Sequence, residues 1–148
     1  MIKIKKLYGM MILFAVIAVI TNSNAIAGGI NWKVNVKNTT PYTIKLHVWV
    51  NKLFTSSLKE TKQVEPGSSY TFETGAYCPD RLGGEIHKNG VGWKSLGTFC
   101  LGLKTWHKSK VGNTECTAAC WNSSINVVKM VDAEYEELRD YDYGFKTQ

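Results

Sequence analysis

The chain has no G-x-S-x-G, no H-E-x-x-H and no C-x-x-C. The patterns that carry nucleophilic hydrolysis, zinc hydrolysis or dithiol chemistry with a stated mechanism are therefore missing, and no nucleotide-binding motif replaces them. There is no internal repeat, and no stretch of about twelve residues presents an apolar helical face. Its longest apolar run is Met10 to Ile20, eleven residues. A spanning helix needs roughly 20. What remains is a chain of 148 residues with 44% hydrophobic and 20% charged residues, long enough for one packed domain and too apolar for wholesale disorder.

The apolar run has a specific setting. Lys3, Lys5 and Lys6 precede it, Thr21 to Asn24 follow it, and Ala25-Ile26-Ala27 has the small-x-small shape cut by signal peptidases. Residues 1–27 read as a cleaved secretory signal peptide, and no Cys follows the cut to make a lipoprotein anchor. The expected organisation is a signal peptide over 1–27, one domain over 28–131 and an acidic tail over 132–148. Residues 28–131 hold 13 basic and 6 acidic residues, whereas the tail holds six acids against Arg139 and Lys146. A basic body with an acidic tail leaves the whole chain's charge of +6 a poor guide to nucleic-acid affinity, and export makes that partner unexpected.

All four cysteines, Cys78, Cys100, Cys116 and Cys120, follow the leader. An even count in a small exported domain reads as two disulfides, with three connectivities open. A helical Thr117-Ala118-Ala119 would disfavour Cys116–Cys120, leaving Cys78 and Cys100 to take one partner each from that pair.

Periodicity after the leader is two. Trp32, Val34 and Val36 alternate with lysines and Asn35; Tyr42 to Val50 alternates over nine residues, with Lys45, His47 and Trp49 on the polar side. Glu65-Pro66-Gly67-Ser68 is turn chemistry, and Tyr70 and Phe72 continue a strand beyond it. Asn89-Gly90 predicts a two-residue hairpin loop, which sets Ile86 against Trp93 and Glu85 against Lys94. Leu96 to Leu103 and Ile125 to Val131 read as further strands, the second a central one. About seven short strands between turns predict an all-β antiparallel sandwich or small barrel, with the tail weakly ordered.

Several groups of residues could carry function. Lys104, Trp106, Lys108 and Lys110, with Trp93 and Lys94, mix indole and ammonium groups, which suits an anionic membrane surface or an acidic glycan. Trp49 stands on the polar side of its strand, under a covering loop or on a binding surface. Cys116 and Cys120 with His47, His87 or His107 offer donors for copper or zinc. Their spacing resembles the copper-binding pair of some exported copper chaperones, without the alternating strands and helices of those proteins. For hydrolysis, Glu85 with Asp80, or Glu73, could form a carboxylate pair, with His87 or His107 as base. The tail carboxylates lack the glycine and closing glutamate of a calcium loop. Asn38-Thr39-Thr40 and Asn122-Ser123-Ser124 are glycosylation sequons.

The first strand, Asn38-Thr39, the second strand and then Val64-x-Pro66-Gly67-x-Ser69-x-x-Phe72 resemble the opening of small secreted sandwiches, thaumatin-like and aegerolysin-like proteins among them. The resemblance covers about forty residues and implies an exported β-sandwich, but no site. The sequence thus predicts a secreted or periplasmic binding protein for an anionic lipid surface, a polysaccharide or a protein partner, in one form a toxin-like module. No cofactor is implied. The alternatives are a small hydrolase using Glu85 and His87, and a copper or redox carrier using Cys116 and Cys120.

Overall fold

The computed structural model describes residues 29–107, 114–130 and 143–148. The signal-peptide reading, Lys108, Lys110 and residues 132–142 of the acidic tail lie outside them. Among the described residues nine strands and no helix form two sheets. The strands are β1 (Lys33–Asn38), β2 (Ile44–Lys52), β3 (Thr55–Val64), β4 (Ser69–Glu73), β5 (Pro79–Lys88), β6 (Gly92–Cys100), β7 (Thr105–His107), β8 (Ser123–Lys129) and β9 (Tyr143–Thr147). One sheet has the order β4-β1-β8-β9, the other β3-β2-β5-β6-β7. The all-β sandwich is as the alternation predicted, but it has nine described strands rather than about seven, and β1 and β8 run parallel.

Alternation explains the packing. In β2 the inward set Ile44, Leu46, Val48 and Val50 is wholly buried, while Lys45, His47 and Trp49 stand half-buried on the other side. Val34, Val36, Phe72, Ile125 and Val127 answer from the four-stranded sheet, so the apolar faces close on each other. β3 escaped the sequence reading because TSSLKETKQV has no apolar period; it is an edge strand, and Lys59 and Lys62 along it discourage further pairing.

Three expectations need correction. The hairpin after β5 is one residue longer than two. Val91 N–H donates to the Lys88 carbonyl, only Gly90 of the central pair has positive φ (78°), and Gly92 (φ 81°) absorbs the extra residue. The register becomes His87↔Trp93 and Ile86↔Lys94, moving Trp93 to the outer face and separating Glu85 from Lys94. An extra residue at Leu96 then restores the inward set, which ends with Phe99 and Leu101; Leu103 is exposed in the turn before β7. Finally, Tyr143–Thr147 of the expected weakly ordered tail is a strand paired with β8, with Phe145 in the core.

The cysteines form Cys78–Cys120 and Cys100–Cys116, with Cα atoms 4.6 and 5.1 Å apart. This is one of the two pairings that give Cys78 and Cys100 a partner each. The bridges hold the loop before β8 onto the ends of β5 and β6, where Ala119 N–H donates to the Pro79 carbonyl at 2.7 Å.

Candidate functional site

The outer face of the five-stranded sheet collects most of the chemically active side chains. Its row on β2 is Lys45, His47 and Trp49. β5 supplies Arg81, Glu85 and His87, and β6 supplies Trp93, because Lys45 is in register with Glu85, Trp49 with Arg81 and His87 with Trp93. Arg81 and His87 are six residues apart, so the row extends roughly 20 Å at about 3.3 Å per residue.

Its centre is Glu85. The carboxylate meets Lys45 Nζ at 3.3 Å and His47 Nε2 at 3.8 Å. Lys45 Nζ also lies 4.2 Å above the Trp93 ring, whose other neighbour is the His87 ring at 5.0 Å. Thus Lys45 bridges a carboxylate and an indole. At the far end the Arg81 guanidinium stands 5.9 Å from the Trp49 ring, and His47 stands 5.7 Å from it. His47 Nδ1 and the Thr61 hydroxyl are 2.9 Å apart. Burial pushes the His47 imidazole below its ordinary value; Glu85 opposes that shift and Lys45 adds to it.

This arrangement divides the residues singled out in the sequence. Trp49, Trp93, Glu85, His87 and His47 share one face. Lys94 is exposed next to Trp93 but is in register with Ile86. Lys104 is at the opposite end of β6, in a turn at φ 54°. Trp106 is committed to the protein: its ring packs against the core, and Nε1–H donates to the Leu96 carbonyl at 2.8 Å. A Cβ added at Gly144 would lie 2.9 Å from that ring, so the indole fills the space beside β9. Among the described residues of the expected cluster, Trp93, Lys94, Lys104 and Trp106 therefore do not share one surface. Lys45 and Arg81 were the missing members. The period-two pattern already put Lys45 beside Trp49, whereas Arg81 required the β2–β5 register.

The catalytic and metal candidates fare differently. The imidazole in contact with Glu85 is His47, not His87. Asp80 is 1% exposed beside Arg81, and Glu73 is in the other sheet. Five residues of strand separate Asp80 from Glu85, about 16 Å at about 3.3 Å per residue, beyond the roughly 5 to 9.5 Å of glycosidase carboxylate pairs. Cys116 and Cys120 belong to different disulfides and offer no thiolate. Among the described residues no three His, Cys, Asp or Glu side chains converge as a metal site. Of the sequons, Asn38 is buried, its amide donating to the Tyr42 and Val64 carbonyls, so the folded protein cannot present it to an oligosaccharide transferase. Asn122 is exposed.

These features define a two-sheet, disulfide-linked β-sandwich with an aromatic and basic outer face, and two disulfides are characteristic of extracellular or periplasmic proteins. No protein-family model matches the chain, and no curated protein matches it. Among solved structures it is similar to the cytotoxin suilysin from Streptococcus suis, at 6% identity and a TM-score of 0.38 over 66% of this chain. The match spans about one fifth of that protein, 20% of its length.

Proposed function

We propose that this is an exported binding protein whose outer sheet face recognises an acidic polysaccharide. The observation that carries the reading is the row on that face: two indoles near its ends, with Lys45, His47 and the carboxylate of Glu85 along it, and Arg81 buried beside Trp49 and Asp80. Indole faces stack on the apolar faces of sugar rings, and a lysine such as Lys45 pairs with carboxylate or sulfate substituents. A span of roughly 20 Å suits several successive sugars rather than one. The leader pattern and the disulfides support a secreted or periplasmic location.

Retention on immobilised heparin or alginate, against neutral dextran, tests the proposal. Wild type should be retained by the acidic polymers at low salt. The variant K45A/W93A should elute earlier with an unchanged melting temperature. Glu85→Gln separates binding from hydrolysis: removing a carboxylate from the row should tighten retention, whereas in a hydrolase using Glu85 it would abolish turnover. Equal retention of K45A/W93A and wild type would reject the face as the site.

A further inference from the structure

At the end of the sandwich beyond Trp49 and Arg81, the protein displays large apolar side chains that the fold does not use. The β2–β3 loop is two residues long, since Lys52 is in register with Thr55. Its residues are Leu53 at φ 47° and Phe54 at φ 71°, 91% and 100% exposed. Two positive φ angles make a type I′ turn, which Asn and Gly form with little strain and L-residues with long side chains form at a cost. The same chain uses Asn89-Gly90 at another hairpin. Leu53 and Phe54 thus serve neither the turn nor the core.

Other exposed apolar residues join them. The strand directions bring the end of β2, the start of β5 and the end of β6 to this same end, and the Cys78–Cys120 bridge and the Ala119–Pro79 hydrogen bond bring the residues just before β8 there. Asn51 N–H donates to the Cys78 carbonyl, Lys52 Nζ stands 5.0 Å from the Tyr77 ring, and the Cys78–Cys120 bridge leads to Trp121. Tyr77 is 47% exposed, Trp121 42% and Leu103 61%. Trp121 and Lys104 line a shallow depression with Leu101. Tyr77 and Trp121 are therefore fixed behind the Leu53–Phe54 tip by a disulfide and a backbone hydrogen bond.

Charge at this end favours an anionic surface. Glu73 is paired with Lys33 at 3.3 Å, and hydrogen bonding from Asn31, then Lys33, lowers its pKa. Asp80 is buried beside Arg81. Among the described residues at this end, Lys52 and Lys104 outnumber the exposed Glu115, each lysine next to an exposed apolar residue in sequence. Convex, separated apolar tips backed by Tyr, Trp and Lys match a deformable interface, with aromatic rings at headgroup level and ammonium groups on phosphate. A protein partner would need a separate pocket for each tip.

We infer that this end of the sandwich docks on anionic lipid bilayers, with the Leu53–Phe54 turn inserted below the headgroups and Tyr77, Trp121, Lys52 and Lys104 at the interface. The inference is independent of the polysaccharide reading, because the two rest on different residues. Flotation of the purified protein with phosphatidylcholine vesicles, with and without phosphatidylglycerol, tests it. Wild type should float with the anionic vesicles, and lipids brominated near the headgroup should quench Trp121 fluorescence, a signal removed by Trp121→Phe. The variant L53N/F54G should bind vesicles at least about tenfold more weakly, the factor expected for withdrawing one large apolar side chain. It should also melt no lower than wild type, since Asn-Gly relaxes the turn. K45A/W93A should float as wild type does, which keeps this result separate from polysaccharide binding. No flotation of wild type with anionic vesicles, or equal flotation of L53N/F54G, would overturn the inference, and binding of these residues to a protein would then have to explain their exposure.

Discussion

His47 shows how one side chain is read differently by sequence and structure. In the sequence it is a polar-side residue between Lys45 and Trp49. In the structure it is half-buried against Trp49, with Thr61 on Nδ1 and Glu85 near Nε2. Burial lowers its pKa in the folded state, so the unfolded chain binds the proton more readily. Its stability contribution is therefore fully present above the unfolded value of about 6.5 and is lost as pH falls toward the folded value. Urea midpoints at pH 7.5 and pH 5 should drop further for wild type than for His47→Gln; equal drops would mean that His47 does not carry this dependence. Trp106 is the converse case, with a binding residue's composition and a core residue's position. Trp106→Ala should cost about 3 kcal/mol of unfolding free energy by denaturation. Trp106→Phe, which loses the bond to the Leu96 carbonyl and part of the ring that fills the space beside Gly144, should cost less than the alanine variant, about 2 kcal/mol. A loss below about 0.5 kcal/mol for the alanine variant, within the range of ordinary surface changes, would return Trp106 to the surface.

At the scale of elements, the β5–β6 hairpin decides what the outer face contains. A two-residue loop at Asn89-Gly90 would have placed Trp93 with Ile86 on the core side. The additional loop residue moves Trp93 beside His87 and within reach of Lys45, while Leu96, as the extra residue farther along, returns Phe99 to the core. Gly84 lies next to that irregularity, and its space is already taken: an added Cβ would meet the Lys45 carbonyl at 3.0 Å and methyl groups of Leu46 and Leu96 at 3.2 Å. The local Asn-Gly signal correctly indicated a hairpin, but its length was settled by packing several residues away. β9 shows the same limit. Its five residues follow an acidic stretch, and only pairing with β8 and burial of Phe145 identify it as a strand.

Across the whole molecule, the two disulfides link the loop before β8 to the five-stranded sheet. Their sequence separations are 42 and 16 residues. Closing loops of those lengths restricts the unfolded chain by about 4 and about 3 kcal/mol at 25 °C in the chain-entropy description. Replacing Cys78 and Cys120 by alanine should therefore lower the urea unfolding free energy more than replacing Cys100 and Cys116. The reverse order would show that packing around Cys100 outweighs loop length. Cys78–Cys120 also joins the chain beneath Tyr77 to Trp121, so its loss should loosen the apolar end while leaving the Lys45–Glu85–Trp93 contacts in place.

The sequence by itself determined the all-β class, the presence of paired cysteines, and the inward and outward sets of β2. These follow from strict alternation and from composition, which act over a few residues. The sequence also placed Lys45, His47 and Trp49 together, because a strand gives every second side chain the same direction. Only the tertiary structure decided that Glu85 is held by Lys45 rather than Lys94, that Trp106 turns inward, and that Leu53, Phe54, Tyr77, Leu103 and Trp121 gather at one end. Those outcomes depend on hairpin length, strand order and the path of the disulfides. Each joins residues far apart in the chain, where local pattern carries no register.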